Sequence, residues 1–240
     1  MEKNFLEDQS GTLYLVSTPI GNLEDITFRA LKVLKEVDLV AAEDTRRTRK
    51  LFNHYQINTP LTSYFEHSSF KKTQSLLSQL KKGKDIALVS EAGTPSISDP
   101  GFKLTKRAIE NRLKVVPIPG ASALITALSA SGLPTNNFIF EGFIPRKPGK
   151  RRNFFISLKD QEKTLIFYES PRRLIITLKD LLAVLGDRHI VIARELTKIF
   201  EEMIRGRVSE VIELLEDKTI KGEITILVSG IPFPLKATLV

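Results

Sequence analysis

The sequence predicts an α/β protein made of two α/β domains, the first of them with a largely parallel sheet. Short apolar runs of strand length alternate with amphipathic stretches of helix length along most of the 240 residues. Loops rich in glycine, proline and small polar residues join several of these runs to the following helix, which is typical of β-α-β units. The 42% hydrophobic content is enough to fill proper cores.

The first domain is predicted to span residues 1–135. Strands are expected where the apolar runs are too short for a helix, at residues 12–17, 39–42, 86–89 and 115–118. Helices are expected between and after them, at residues 27–36, 46–55, 71–82, 102–112 and 123–131. Asp99 and Pro100 have the pattern of an N-cap followed by a proline at the first helical position, and Ser122 can cap the last of these helices.

The second domain is predicted to span residues 136–240. It opens with a strand-like run at 138–145, followed by Arg146-Lys-Pro-Gly-Lys-Arg-Arg152, which has five cations in seven residues. This compositional break places the domain boundary nearby. Beyond it, helices are expected at 153–158, 171–185 and 208–215, and strands at 164–168, 189–194, 201–204 and 223–228.

Composition excludes several classes of site. The chain has 36 Lys and Arg against 28 Asp and Glu, a formal charge of +8, which favours an acidic partner. The absence of cysteine excludes disulfides, thiol nucleophiles and cysteine-ligated zinc, and the three histidines lack the spacing of metal-binding pairs, so no metal is expected. No secretory signal or membrane-length apolar stretch is evident, so the expected location is the cytoplasm, without a membrane partner.

Three small-residue loops follow predicted strands, and together they predict a ligand site. They are Thr18-Pro-Ile-Gly-Asn22, Ser90-Glu-Ala-Gly-Thr-Pro-Ser-Ile-Ser-Asp-Pro-Gly101 and Pro119-Gly-Ala-Ser122. The backbone N–H groups of the last loop would favour a carboxylate or phosphate, while Gly93 and Thr94 allow close approach of the backbone to a ligand. Each loop taken alone is more often a simple connection. Neither G-x-G-x-x-G nor a lysine-containing phosphate loop occurs.

Two carboxylates end the second predicted strand and lead into a run of cations. The functional interpretation gives Glu43 or Asp44 a general-base or positioning role, and gives the following cations, Arg46, Arg47, Arg49 and Lys50, contacts to phosphates. The alternative is a helix capped by Asp44 with a solvated basic face. For the cations alone, the sequence slightly favours this alternative.

Further basic residues follow two later strands. Arg146-Lys-Pro-Gly-Lys-Arg-Arg152 is typical of a nucleic-acid-binding patch, although linkers are often basic without binding anything. Phe167-Tyr-Glu-Ser-Pro-Arg-Arg173 adds two arginines at a strand-to-helix junction. Phe143 and Tyr168 could stack on a base or an adenine ring, although core packing is the commoner use of one aromatic residue.

Six motifs in order together resemble the ribosomal RNA small subunit methyltransferase I family. They are Thr18-Pro-Ile-Gly-Asn-Leu-Glu-Asp25, Ala42-Glu-Asp-Thr-Arg46, the loop 90–101, Pro117-Ile-Pro-Gly-Ala-Ser-Ala123, Glu141-Gly-Phe-Ile-Pro-Arg146 and Tyr168-Glu-Ser-Pro-Arg-Arg173. The resemblance covers about residues 11 to 230. It implies the tetrapyrrole methylase fold, with two α/β domains, S-adenosylmethionine in the cleft between them and usually a homodimer. It also implies 2′-O-methylation of a cytidine ribose in the decoding centre of small-subunit (16S) rRNA.

This resemblance and the loops together predict the site residues. The expected cofactor contacts are Pro19, Gly21, Glu91, Ala92, Gly93, Thr94, Pro95, Ser98, Pro119, Gly120, Ala121, Ser122 and Phe143. The expected catalytic candidates are Glu43 and Asp44. The expected RNA contacts are Arg46, Arg47, Lys147, Arg151, Arg152, Arg172 and Arg173.

Two departures from the wider family bear on the substrate. Thr18-Pro-Ile-Gly-Asn22 replaces the glycine-rich loop of tetrapyrrole methylases, which favours the RNA-modifying branch. Many relatives also extend into a helical C-terminal segment, whereas this sequence stops ten residues after Gly230, so we expect it to rely more on its own basic patches. The expected partner is free small-subunit rRNA or the assembled subunit. The alternatives are a tetrapyrrole or other small acidic substrate, and a non-enzymatic RNA-binding assembly factor.

Overall fold

The computed structural model describes residues 10–231, and the chain divides into two compact units, Met1–Ser122 and Ala123–Val240. The division falls one helix before the predicted boundary of 135/136. The reason is that the helix Ala123–Ser129 packs against strands of the second unit, Thr164–Glu169 and Ile224–Val228. The basic segment that suggested the later boundary is part of the second unit. No described helix is long and apolar enough to cross a bilayer.

The first unit alternates strands and helices as predicted. In chain order its elements are β1 (Thr12–Val16), a 3-10 helix (Leu23–Asp25), α1 (Phe28–Glu36), β2 (Leu39–Ala42), α2 (Thr45–Tyr55), β3 (Leu61–Ser63), α3 (Phe70–Lys81), β4 (Ile86–Val89), α4 (Phe102–Glu110) and β5 (Lys114–Ile118). The short strand β3 is absent from the prediction, because three residues carry too little periodicity to identify a strand.

The five strands form one parallel sheet in the order β3-β2-β4-β1-β5. The connection from β4 to β5 crosses over β1, so the loops after β1, β4 and β5 leave neighbouring strands at the same edge. Ligands of open α/β sheets bind at such a crossover, outside the carboxyl ends of the strands. Helices cover both faces of the sheet, with separate buried clusters around Leu34 and Phe52 and around Leu77 and Leu104.

The second unit carries a mixed sheet. Its elements are α5 (Ala123–Ser129), β6 (Phe138–Phe143), α6 (Pro148–Ser157), β7 (Thr164–Glu169), a 3-10 helix (Pro171–Arg173), α7 (Leu174–Leu185), β8 (His189–Arg194), β9 (Glu202–Arg207), α8 (Val208–Leu215) and β10 (Ile224–Val228). The order is β6-β7-β10-β8-β9, with only β6 and β7 parallel. A buried cluster that includes Phe155, Phe167 and Leu178 fills the space between this sheet and its helices.

Two local predictions are wrong. α4 begins after Gly101, whose φ is 144° and which provides no side-chain cap, so Asp99 is not the N-cap of that helix. The basic segment 146–152 is not a linker before a helix at 153, because Pro148 occupies the first turn of α6 and the helix includes Arg151 and Arg152.

Candidate functional site

The three predicted loops meet at the carboxyl edge of the first sheet. Thr18 and Gly93 exchange two backbone hydrogen bonds, of 2.9 and 3.0 Å, and so join the loop after β1 to the loop after β4. The hydroxyl groups of Ser17 and Thr94 are 2.9 Å apart, and Thr94 Oγ1 donates to the carbonyl of Ala121 at 3.3 Å. Thr94 therefore lies at the junction of all three loops.

Glycine is required where two of these loops approach most closely. A Cβ atom at Gly120 would lie 2.8 Å from the Cβ of Ser17, which is closer than two side chains can come. Gly93 has a φ of 83°, and an added Cβ would lie 3.3 Å from the side chain of Ile20. The close packing of the loops at the junction thus depends on the absence of a side chain at these two positions.

The loop between β4 and α4 has an unusual backbone. Ser96 and Ser98 have φ values of 71° and 61°, in the left-handed region that residues with a side chain adopt rarely. Gly101 ends the loop, and a Cβ atom there would lie 2.4 Å from the Ser96 hydroxyl oxygen. Clustered strain of this kind marks ligand-binding and catalytic loops.

A group of carboxylates lies beside this loop. Glu43, directly after β2, accepts a hydrogen bond from the backbone N–H of Glu91 at 3.0 Å. The Glu91 side chain forms an ion pair with Arg47 on the first turns of α2. Burial raises the pKa of Glu43, and the negative charge of Glu91 adds to the effect, outweighing the hydrogen bond from Glu91 and the charge of Arg47.

Asp99 belongs to the same group, although the sequence interpretation treated it as a helix cap. Burial, together with repulsion from Glu43 and Glu91, raises the pKa of Asp99 to about 6, despite a hydrogen bond from Ser90. A half-buried carboxyl with a raised pKa in a loop next to other carboxylates is a common feature of active sites. Its position within the small-residue loop was the available signal in the sequence.

Asp44 has the structural role that the alternative interpretation gave it. It is the N-cap of α2, where its side chain accepts the backbone N–H of Arg46 at 2.8 Å. Hydrogen bonds from the backbone and side chain of Arg46 lower the pKa of Asp44, which makes it a poor proton acceptor. Of the two predicted catalytic carboxylates, the geometry favours Glu43.

A cavity of about 360 Å³ lies beside these groups within the first unit, a size typical of small-molecule sites. Its lining includes Thr18 and Pro19 after β1, Ser90 and Glu91 after β4, and Arg47 on α2. Predicted cofactor contacts Pro19 and Glu91 therefore line the cavity. The others in this unit are not part of its lining, and Gly21 is exposed to solvent.

The predicted RNA contacts differ in exposure. The side chain of Arg46 is 90% exposed, whereas Arg47 is engaged with Glu91. In the second unit Lys147, Arg152 and Arg172 are exposed. The prediction that Arg151 contacts RNA is wrong. Its side chain is only 2% exposed and is paired with Asp180, so phosphates cannot reach it.

Arg173 also turns inward, where it forms an ion pair with the buried Glu169. Phe143 is 62% exposed at the end of β6, and its ring centroid is 5.5 Å from that of Tyr168. The register of the β6–β7 pairing shifts between Phe140 and Phe143. Contact of Phe143 with the cofactor stays a prediction.

Within residues 10–231, no group of three or more His, Cys, Asp or Glu side chains is arranged to hold a metal ion.

Comparison with known proteins identifies relatives over nearly the whole chain. The model of the tetrapyrrole (corrin/porphyrin) methylase family matches residues 12–212. Ribosomal RNA small subunit methyltransferase I of Halalkalibacterium halodurans is 54% identical, with 93% of this chain and 77% of the relative covered. The Thermotoga maritima protein of the same name is 51% identical, with 92% and 99% covered.

Solved structures with low sequence identity share the fold. A cobalt precorrin-4 methyltransferase superposes with a TM-score of 0.68 at 17% identity, over 91% of this chain and 94% of its own. A uroporphyrin-III-C-methyltransferase from Thermus thermophilus gives 0.63 at 19% identity, over 90% and 94%. At these sequence identities, the structural similarity is evidence for the fold alone.

Proposed function

Because the chain belongs to the ribosomal RNA small subunit methyltransferase I family, within the tetrapyrrole methylases, we propose that it 2′-O-methylates a cytidine ribose of small-subunit rRNA in the decoding centre. The methyl donor is S-adenosylmethionine. The observation that supports the proposal most strongly is the junction of three loops at the crossover of the first sheet, beside a cavity that Glu91 lines.

The residues at the junction fit this cofactor. Gly93 and Gly120 permit the close approach of the three loops, and Gly120 lies on the exposed side of the junction. The backbone N–H groups of residues 120–122 suit a carboxylate. Glu91 and Asp99 are acceptors that suit ribose hydroxyls or a cationic group. We propose that residues 91–98 and 119–122 hold the cofactor, which supplies an activated methyl group when bound.

The protein contributes position and proton transfer. A ribose hydroxyl needs a partner that orients it and accepts its proton as the new bond forms, and the partner works best when its pKa lies near the operating pH. Glu43 is the proposed partner, because burial raises its pKa and its side chain accepts a hydrogen bond from Glu91, which lines the cavity. Arg47 is assigned to holding Glu91 in place rather than to a phosphate.

The RNA is proposed to bind exposed cations. In the first unit the exposed Arg46 is available, and in the second unit Lys147, Arg152 and Arg172 are available, in keeping with the +8 charge of the chain. The proposal includes a cytoplasmic location, where ribosomal subunits are assembled, and a homodimer. Free rRNA and the assembled subunit remain the two forms of substrate to compare.

Methyl transfer from tritiated S-adenosylmethionine tests the proposal. Purified chain is incubated with unmethylated small-subunit rRNA, with assembled subunits, or with a tetrapyrrole, and modified RNA is digested to nucleosides. The expected product is 2′-O-methylcytidine from one of the two RNA substrates. Label in the tetrapyrrole alone would indicate the small-substrate alternative, and no transfer to any acceptor would favour a binding protein without enzymatic activity.

A further inference from the structure

Several exposed cations of the second unit lie on or near a backbone segment whose carbonyl groups accept hydrogen bonds from two less exposed arginines. The basic surface is defined here as Arg146, Lys147, Lys150, Arg152 and Arg172, all of them exposed. Arg151 and Arg173 are adjacent in sequence to members of this surface, yet both turn away from solvent. The side chain of Arg151 is 2% exposed and that of Arg173 is 21% exposed.

Both inner arginines hold backbone carbonyls of the same segment. Arg173 Nη2 donates to the carbonyl of Ile144 at 3.2 Å, and Arg151 Nη1 donates to the carbonyl of Arg146 at 3.3 Å. These two carbonyls flank Pro145, which has a restricted φ of its own. The path of the chain from β6 into α6 is therefore fixed on both sides of the proline.

Each inner arginine is in turn held by a carboxylate. Arg151 Nε donates to Asp180 at 2.7 Å, and the other Asp180 oxygen accepts from Arg152 Nε at 3.0 Å. Arg152 remains 65% exposed beyond this contact. Asp180 on α7 thus connects a buried arginine to a member of the basic surface.

Glu169 forms an ion pair with Arg173, as Asp180 does with Arg151. Its fully buried side chain pairs with Arg173 and accepts hydrogen bonds from the backbone N–H of Ser170 at 2.6 Å and from Thr177 at 2.8 Å. These bonds fix the 3-10 turn that carries Arg172. Through Ile144, the same guanidinium connects this turn to the segment before α6.

Buried ion pairs contribute little to stability compared with apolar residues of similar volume, so a role in conformational specificity is a natural interpretation. Phosphate contacts set the register of a protein on a nucleic acid, which requires the cations to be correctly spaced before binding. A surface preset in this way binds without the entropic cost of ordering its backbone.

We propose that Arg151 and Arg173 are positioning residues, which fix the backbone at 144–147 and the 170–173 turn so that the basic surface binds an RNA backbone. This inference rests on the proposed function, since it takes RNA as the ligand. It replaces the expectation that these two arginines contact phosphates themselves.

Charge-conserving variants test the inference. Arg173→Lys and Arg151→Lys keep the net charge but lose the forked contacts to carbonyl and carboxylate. Binding of a fluorescein-labelled oligocytidylate is measured by anisotropy between about 50 and 200 mM salt. Each variant is expected to bind at least about tenfold more weakly, with a slope of log K against log salt at least about 0.7 less steep, because at least one phosphate contact is lost.

Arg188→Lys is the matched control. Arg188 is a buried arginine of the same unit that donates to the carbonyls of Leu185, Lys159 and Ser229, outside the basic surface. Arg188→Lys is expected to lower the Tm about as much as Arg151→Lys and Arg173→Lys do. Its slope of log K against log salt is expected to equal that of the wild type. Should Arg173→Lys fail to fold, Arg151→Lys decides.

Arg172→Gln separates this inference from the proposed function. Suppose that Arg172→Gln weakens RNA binding and gives a less steep slope of log K against log salt, while Arg151→Lys and Arg173→Lys keep the wild-type slope and affinity. The positioning role is then overturned, but RNA binding by the basic surface is supported. If Arg172→Gln, Arg152→Gln and the inner variants all bind like wild type, the basic surface does not bind RNA, and the inference fails together with that part of the proposed function.

Discussion

The raised pKa of Asp99 makes the stability of the folded chain depend on pH. The pKa of this carboxyl is raised to about 6 by burial and by Glu43 and Glu91, so its charged form is disfavoured in the folded chain. The folded state then binds the proton more tightly than the unfolded state, and the penalty to stability is fully present above pH 6. It diminishes as the pH falls through 6 toward the ordinary value of 3.8.

The replacement Asp99→Asn is therefore expected to stabilise the chain at pH 7.5. The expected gain is about 1 kcal/mol, a rise in Tm of about 2 to 4 °C, after allowance for the partial exposure of the group. Differential scanning calorimetry of both proteins should show this gap narrowing as the pH is lowered from about 7.5 to 5. A gap that stays constant or widens at low pH would place Asp99 in an ordinary solvated environment.

Glu43 and Asp44 are adjacent carboxylates with different expected roles. Glu43→Gln should lower the rate of methyl transfer by about 10²- to 10⁴-fold, the range typical of a lost general base. Asp44→Asn retains an N-cap side chain and should transfer methyl groups at close to the wild-type rate. Equal losses in the two variants would contradict the assignment of Glu43.

The cap role of Asp44 has its own test. Asp44→Ala removes the acceptor for the Arg46 N–H at the start of α2 and should lower the free energy of unfolding by about 1 kcal/mol. Urea denaturation of Asp44→Ala and Asp44→Asn measures the difference. An alanine variant as stable as the asparagine variant would mean that the cap contributes nothing.

Individual site residues were predictable from the sequence to unequal degrees. Gly93 and Gly120 stand in loops after apolar strands, and the close approach that they permit follows from the residue type alone. Asp99 lies in a loop where Ser96 and Ser98 have a left-handed backbone, and serine does not signal that conformation in the sequence. The burial of Arg151 depends on where α6 begins, for which Pro148 was the available signal.

Apart from β3, the strands and helices of the first unit were predictable, because apolar runs of strand length alternate with amphipathic stretches of helix length. The parallel order follows from their alternation, so the meeting of loops after β1, β4 and β5 could be expected from the sequence. The strand directions of the second sheet were harder to predict from the sequence. β10 pairs antiparallel with both β7 and β8, and a buried run such as Ile224–Val228 carries no information about direction.

At the scale of the whole molecule, the predicted family, the two-domain α/β fold and the methyltransferase class are confirmed by the relatives and the shared fold. The boundary between units was harder to locate, because α5 follows the first sheet in sequence and packs with the second. A change in composition at 146–152 marks a charged helix start rather than a boundary.

Charge predicts how the whole chain responds to salt. If the five cations of the basic surface contact phosphates of single-stranded RNA, the slope of log K against log salt should be about −3.5, or about a 100-fold loss between 50 and 200 mM salt. Binding of S-adenosylmethionine should change far less over the same range. A shallow slope for RNA would favour a small acidic substrate.

Everything proposed about catalysis requires that the junction of three loops in the first unit holds the methyl donor. Calorimetric titration of S-adenosylmethionine into wild type, Gly120→Ala and Gly149→Ala tests it most directly. A Cβ at 120 meets Ser17, whereas a Cβ at 149 meets nothing within 4 Å. Gly149→Ala is expected to bind with wild-type affinity, and Gly120→Ala to lose at least about tenfold in affinity, or about 1.4 kcal/mol. Undiminished binding by Gly120→Ala would contradict it.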